Sequence, residues 1–442
     1  MLQSKRRTKC IVCGGKLSDD LVFIGDQYPS AVYPEVGSDY KQSMKASSLN
    51  LTKCLHRECG LVQLRHEYNL DFVYKNYPYL SGGTATMKKI LSDVVNEVEG
   101  VVSLNSNDIV LDIGGNDGTL LSLLSKPVKK RINIDAASGI TSVLNDPNYI
   151  RVEDKFSAKA YLNLKQPAPK VIFCVAMFYQ LDDSLTFCRD IRKIMDDETI
   201  LCIQMTYLGS MLESNIYDNI VHEHVAYYSL GSLEYLLNKV GLQILDAKIV
   251  ESYGGSLRVI VRKAKKKPVL CTSKGAKAIR EYERTMDVNT TEGLKRFNER
   301  TILLRDFTRQ LIDHIVAKHG KILALGASTK GNMICQFLGL TSQQIACALD
   351  NSDKKIGLVM TGSDIPIADE KEYLGKLTEY LLVLPYYYTD FFKSLIQKYL
   401  QPNHTVYLLV PLPKPYFIKV SNEQINLLKE YEYAKVLHRS NH

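Results

Sequence analysis

The chain contains no apolar run of about eighteen residues, and its basic start, MLQSKRRTKC, is not followed by an apolar segment. A membrane-spanning helix is thereby excluded and a secretory signal unsupported. A disulfide framework is missing too. Beyond four cysteines near the start, Cys174, Cys188, Cys202, Cys271, Cys335 and Cys347 are scattered, several inside apolar runs, as suits reduced thiols in a reducing compartment. These absences predict a cytoplasmic chain with no membrane partner. The sequence has neither G-x-G-x-x-G nor Gly-Lys-Ser/Thr, so the ordinary dinucleotide fingerprint and the Walker A loop are both absent. Concentrated charge is also lacking: the net charge is +8, but basic runs occur only at KRRTK (5 to 9) and RKAKKKP (262 to 268). Charge alone therefore does not argue for nucleic acid, and the second run reads as a solvated linker at a domain boundary.

What is present begins with Cys10 and Cys13 in CIVC and Cys54 and Cys59 in CLHREC. Two short loops, each aiming two thiolates at one point, fit a single structural zinc ion per chain, with roughly forty residues between them closing the knuckle. His56 could replace one thiolate, and four buried free thiols are the plainer alternative. At 442 residues the chain is too long for one core and suggests about three domains.

From Asp108 onward the pattern is βαβ. IVLDIG is a buried strand, a glycine turn follows, TLLSLLSK opens a helix, and RINIDAA is a second strand. Further strands are expected at IRVEDKFS (150 to 157), KVIFCVAMF (170 to 178) and TILCIQM (199 to 205), which makes a doubly wound α/β sheet. Gly114 and Gly118 let the backbone turn and approach a ligand, and Asp135, about twenty residues on, can accept hydrogen bonds from ribose hydroxyls. The run of Asp112, Gly114, Asn116, Asp117 and Gly118 resembles the form that class I methyltransferases use for S-adenosylmethionine, although a purely structural turn would look the same.

The densest polar cluster is YDNIVHEHVAYYSL (217 to 230), with His222, Glu223 and His224 in succession. Two imidazoles and a carboxylate in an apolar setting can supply a general base and a group that orients it. The spacing is wrong for a His-Glu-x-x-His metal site. Further on, KILALGASTKGN runs from a strand through a glycine turn into a helix, and its free N–H groups with Lys330 make an anion site suited to a diphosphate. A plain helix cap, or a nicotinamide cofactor near Asp350, are the alternatives there. Between 276 and 319, charges alternate with Leu, Ile and Phe at helical spacing, predicting connecting helices.

Taken in order, CGLVQL (59 to 64), YPYLSGGTATM (77 to 87), GGNDGTLL (114 to 121), HEHVAYYSL (222 to 230), GGSLRV (254 to 259) and GASTKGN (326 to 332) resemble the C-methyltransferases that act on nucleotide-linked keto-deoxysugars, over roughly residues 10 to 370. The resemblance implies a small zinc-binding domain at 1–72, a Rossmann-like class I methyltransferase core at 73–265, a helical connection at 266–319 and a second Rossmann-like domain at 320–442 that binds the sugar nucleotide. It implies S-adenosylmethionine as methyl donor and the sugar nucleotide held between core and C-terminal domain, drawing on Ser328, Lys330 and Asn332 and on Tyr253 and Arg258. Acid/base work then falls to His224 as base, Glu223 as its orienting partner, His222, Tyr79 and Gln180. Val221 stands where the family has a tyrosine, and Gln180 and Tyr253 where it has histidines. Transfer to oxygen or nitrogen needs fewer pocket groups than transfer to carbon and stays open. So do a zinc-bearing RNA methyltransferase and a sugar-nucleotide binder without turnover. No feature of the sequence sets an oligomeric state.

Overall fold

The computed structural model describes residues 4–69, 80–422 and 425–427. Its centre is a seven-stranded sheet whose five parallel strands run in the spatial order Ile200–Thr206, Val171–Val175, Ile109–Ile113, Lys130–Ile134, Tyr149–Val152. The chain therefore starts in the middle, winds outward to one edge, crosses back and winds to the other, which is the doubly wound arrangement. Antiparallel strands Ser256–Lys263 and Leu242–Val250 finish the second edge. The central strands are mostly apolar, as burial on both faces requires, and Val171, Ile172, Phe173 and Cys174 are fully buried. The helix expected from TLLSLLSK is a single turn, Thr119–Ser122, and the chain leaves it ahead of Pro127, which cannot continue a helix.

A second sheet repeats the plan. Its five parallel strands lie in the order Ile365–Asp369, Ile345–Asp350, Ile322–Leu325, Tyr380–Val383, Thr405–Val410, again with the first strand in the middle. Two helices join the sheets. Lys274–Thr285 packs on Leu242–Val250, and Thr291–His319, 29 residues and so about 44 Å long, buries Leu294, Phe297, Leu311, Ile312 and Ile315 before Gly320 ends it at φ 79°.

The N-terminal residues form a small antiparallel sheet of Val22–Gln27, Ser47–Lys53 and Val62–Leu64. Its last strand takes a fourth partner from the core: Ala226 pairs with Gln63 and Tyr227 with Val62, and the Leu64 N–H donates to the Val225 carbonyl at 2.9 Å. The same module touches the C-terminal sheet, where the Tyr28 N–H donates to the Gln336 side chain at 2.8 Å and the Val359 N–H donates to the Pro34 carbonyl at 2.8 Å.

Arg258, expected in the substrate pocket, is instead a structural fork. Its side chain is 1% exposed on strand Ser256–Lys263 and donates to Gln204 Oε1 at 2.6 Å, to Asp93 Oδ2 at 2.7 Å and to Glu97. The alternation of that strand turns residue 258 onto the helix Ala85–Val101, away from the cavity, and a guanidinium fits two carboxylates better than an ammonium would. Removing one partner of a fully buried pair costs about 3–5 kcal/mol. Arg258→Met should cost less, about 2 kcal/mol, because Asp93 stays largely hydrated and Lys248 remains on Glu97. Urea unfolding of the two proteins measures the difference.

Candidate active site and metal centre

The sulfur atoms of Cys10, Cys13, Cys54 and Cys59 all lie within 4.8 Å of one another, with Cys10 to Cys59 at 3.7 Å and Cys13 to Cys54 at 3.4 Å. Four thiolates around an ion at about 2.3 Å would be about 3.8 Å apart, so the set fits one tetrahedral zinc with no position left open. Backbone N–H groups of Val12 and Gly15 point at Cys10 Sγ and Cys13 Sγ, at 3.4 and 3.3 Å, as hydrogen-bond donors to metal-bound thiolates do. His56 is not among the cluster; its ring packs against Tyr235.

One cavity of about 1100 Å³ lies between the core and the C-terminal sheet and reaches the N-terminal module. On the core side it runs over the glycine turn at the carboxyl ends of the central strands, where doubly wound sheets bind ligands. Asp112, Gly114, Asn116 and Asp135 line it. Gly114 sits at φ 71°, and a Cβ there would fall 2.9 Å from Met177 Cγ, so any side chain would be strained and would push into the cavity wall. Asp135 is pinned: Oδ2 accepts from the Asn116 N–H and Oδ1 from the Ala137 N–H, both at 2.7 Å. Burial, with the charges of Asp135 and Asp117 nearby, holds the Asp112 carboxyl well above the usual carboxylate range. Asp117 and Gly118 do not line the cavity. Asp117 accepts from the Gly82 N–H at 2.8 Å and from Thr119, bracing the turn from behind, and Gly118 supplies the left-handed residue at its end. The glycine cradle, the pinned carboxylate and the apolar wall of Met177, Phe156 and Leu181 fit an adenosyl donor such as S-adenosylmethionine.

His222 and His224 line the cavity and Glu223 does not. His224 Nδ1 lies 2.7 Å from the Asn219 carbonyl, which fixes Nδ1 as the protonated nitrogen and leaves the Nε2 lone pair free; its ring meets Tyr179 edge-on at 4.4 Å. The expected orienting role of Glu223 is therefore corrected. Both its oxygens are buried without a partner among the described residues, because consecutive residues of this turn project to different sides. The backbone carbonyl of Asn219 does the orienting. His222 packs edge-on against Tyr68 at 4.7 Å, with the backbone of Gln27 and Ser47 beside its ring but forming no well-aligned hydrogen bond. Gln180, on the 3-10 turn Phe178–Gln180 after the fourth strand, also faces the cavity, whereas Tyr79 lies outside the described residues.

The opposite wall carries Ser328, Lys330, Tyr253 and Tyr387. Ser328 caps helix Thr329–Phe337 by accepting from the Gly331 N–H at 3.0 Å. Lys330 Nζ lies 4.6 Å from the centre of the Tyr387 ring and 5.7 Å from that of Tyr253. Asn332 is corrected: it is fully buried and donates to the Ser30 carbonyl at 3.0 Å, tying the helix to the N-terminal module. Asp350 is engaged by Lys355 and by the N–H groups of Ala327 and Ser352, away from the cavity. Tyr386, Tyr387 and Asp218 escape the sequence reading; the aromatic run PYYYTD just after a buried strand is the signal that could have exposed the first two.

Residues 84–247 match the methyltransferase domain family, and residues 251–413 match the family described as the C-methyltransferase C-terminal domain. C-methyltransferase NovU of Streptomyces niveus is 25% identical over 419 residues, spanning 94% of this chain and 97% of NovU. Among solved structures, N-methyltransferase NodS from Bradyrhizobium japonicum WM9 aligns with 41% of this chain and 99% of its own, at 12% identity and a TM-score of 0.32. The chain is an S-adenosylmethionine-dependent methyltransferase. More narrowly, that core is followed by a segment similar to the C-methyltransferase C-terminal domain.

Purified protein should contain about one zinc per chain, and Cys59→Ser should lose it and lower the melting temperature, since metal binding contributes folding free energy directly. Elemental analysis with a thermal melt checks both. The buried HEH turn makes stability depend on pH in two opposing ways. Burial holds His222 and His224 down at about 3, Lys330 adding to the effect on His224. The unfolded chain then takes up those protons first, and stability falls as pH drops from 6.5 toward 3. Burial pushes Glu223 up to about 7 from 4.5, so its contribution is present at low pH and lost as pH rises through 7. Glu223→Gln should therefore gain stability over wild type at pH 8 but not at pH 4, by on the order of 3 kcal/mol, read from urea unfolding at the two values.

Proposed function

We propose that the enzyme methylates carbon next to the ketone of a nucleotide-linked keto-deoxysugar, with His224 as general base. The observation that carries this reading is the single cavity into which the glycine turn, His224 and Lys330 all project, from two different sheets. Bound at the glycine turn, S-adenosylmethionine would supply an electrophilic methyl group on a sulfonium. Gly114 and Gly115 bring the backbone close to that donor, and the pinned carboxylate of Asp135 accepts from its ribose hydroxyls. Lys330 and the amino end of helix Thr329–Phe337 hold the diphosphate of the sugar nucleotide, which turns the sugar toward the core.

His224 is the group oriented to take a carbon-bound proton: its Nδ1 is held by the Asn219 carbonyl and its Nε2 carries the lone pair, whereas Gln180 is a neutral amide and Val221 is apolar. Burial weakens this base, and the neighbouring ammonium of Lys330 weakens it further. A diphosphate beside Lys330 offsets that charge and strengthens the imidazole when substrate is present. The similarity to NovU over nearly the whole chain supports the carbon-directed reading.

The direct test is incubation with labelled donor and a panel of nucleotide-linked ketosugars, with the methyl located by NMR. His224→Asn should leave affinity for donor and sugar within a few-fold and lower turnover by roughly 10² to 10⁴, the usual worth of a positioned base. Full turnover in that variant would remove the role given to His224. Gly114→Val should abolish donor binding in calorimetry while the zinc content stays at wild type, because the strain is local to the turn.

A further inference from the structure

Four polar groups connect the HEH turn to the C-terminal sheet in an unbroken chain. Tyr386 Oη lies 3.0 Å from Asp218 Oδ1, the hydroxyls of Tyr386 and Tyr387 are in direct contact, and Lys330 Nζ is 3.3 Å from Tyr387 Oη. Asp218 sits in the 3-10 turn Tyr217–Asn219, beside the carbonyl that orients His224, and it is completely buried. Tyr387 and Lys330 line the cavity; Asp218 and Tyr386 stand behind them.

Counting protons shows that this chain has two hydrogen-bond orders. Tyr386 has one proton and two acceptors in reach, so it can donate only one way at a time. With Asp218 ionised, Lys330 donates to Tyr387, Tyr387 to Tyr386 and Tyr386 to Asp218, and the Tyr387 proton is turned away from the cavity. With Asp218 protonated, the carboxyl donates to Tyr386 and Tyr386 to Tyr387, while Tyr387 turns its own proton outward. Asp218 Oδ2 has no partner among the described residues, a costly position for a full carboxylate. Burial indeed pushes this carboxyl up.

We propose that Asp218, Tyr386 and Tyr387 form a proton relay that lends a proton to the substrate's ketone oxygen and takes it back, with Lys330 holding Tyr387 in place. The inference rests on the carbon-methylation reading above. When His224 removes the proton next to the ketone, the C–H electron pair becomes the carbon–carbon double bond and the carbonyl π pair moves to oxygen. That oxygen takes the proton of Tyr387, which is refilled from Tyr386 and Tyr386 from Asp218, leaving Asp218 ionised. When the carbon attacks the methyl group, the enol pair forms the new carbon–carbon bond, the sulfonium leaves as a thioether and the carbonyl re-forms. The oxygen's proton then returns through the same chain to Asp218, and His224 gives its proton to solvent.

Two measurements test the relay. The first follows exchange of the α proton of dTDP-4-keto-6-deoxyglucose with deuterated water in the presence of S-adenosylhomocysteine, so that no methyl transfer is required. Wild type should exchange, and Tyr386→Phe, which leaves Tyr387 in place, should exchange roughly 10- to 100-fold more slowly with an unchanged melting temperature and unchanged affinity for S-adenosylhomocysteine. Tyr387→Phe should lose at least as much, and the double variant no more than Tyr387→Phe alone. The second is infrared difference spectroscopy of the protein without ligands. In the wild-type minus Asp218→Asn difference at neutral pH, where Asp112 and Glu223 cancel, the carbonyl stretch of a protonated carboxyl should appear, and it should shift in Tyr386→Phe. A missing band, or wild-type exchange in Tyr386→Phe, overturns the relay and leaves the carbon reading standing. A band without any wild-type exchange overturns the carbon reading, and the relay's use with it.

Discussion

The pairing of strand Val62–Leu64 with Ala226–Tyr227 holds the site together. It begins two residues after His224, and it is the only ladder that joins the N-terminal module to the core among the described strands. The cysteine cluster stands at its root: Cys59 leads within three residues into Val62, and the Cys54 N–H donates to the Leu61 carbonyl at 2.8 Å. A metal in the cluster would thus act on the candidate site through backbone geometry. It would fix the strand, the strand pairs beside the HEH turn, and the Asn219 carbonyl of that turn holds the imidazole without any help from a carboxylate.

A second constraint is the repetition of one topology. In each doubly wound sheet the first strand is followed by a glycine turn and the fourth by a 3-10 turn, and in both cases these loops face the shared cavity. Gly114 and Gln180 come from the core sheet, Lys330 and Tyr387 from the C-terminal one. Two ligand-binding ends set against each other suit a group transfer between two separately recognised molecules. The long helix Thr291–His319 packs on both Leu208–Glu213 and Val22–Gln27 and leads into Ile322–Leu325, the first strand of the C-terminal sheet.

Much of this was legible from residues alone. The strand periods around IVLDIG and KILALG, the cysteine spacing and the glycine turn each rest on local chemistry, and local chemistry is what a sequence displays. Side-chain direction is another matter. Arg258 and Asn332 sit in segments that line or approach the pocket, yet strand alternation and helix phase turn both onto neighbouring elements. Glu223 lies next to His224 in sequence and contributes nothing to its orientation, while Asn219, five residues away, supplies the carbonyl. The Asp218–Tyr386 contact bridges 168 positions, and no local pattern announces a pair so distant.

The pinning of Asp135 has a consequence for recognition. A surface carboxylate samples several rotamers and must give up that freedom when a ligand binds. Here both oxygens are already tied to backbone N–H groups, so that loss is met during folding and the remaining lone pairs point in fixed directions. On the proposed reading, a diol that matched those directions would dock without reorganising the protein, and a displaced one could not recruit the carboxylate by rotation. A glutamate at this position would restore the charge but, one methylene longer, could not keep both backbone bonds; the selectivity resides in the tether as much as in the acid.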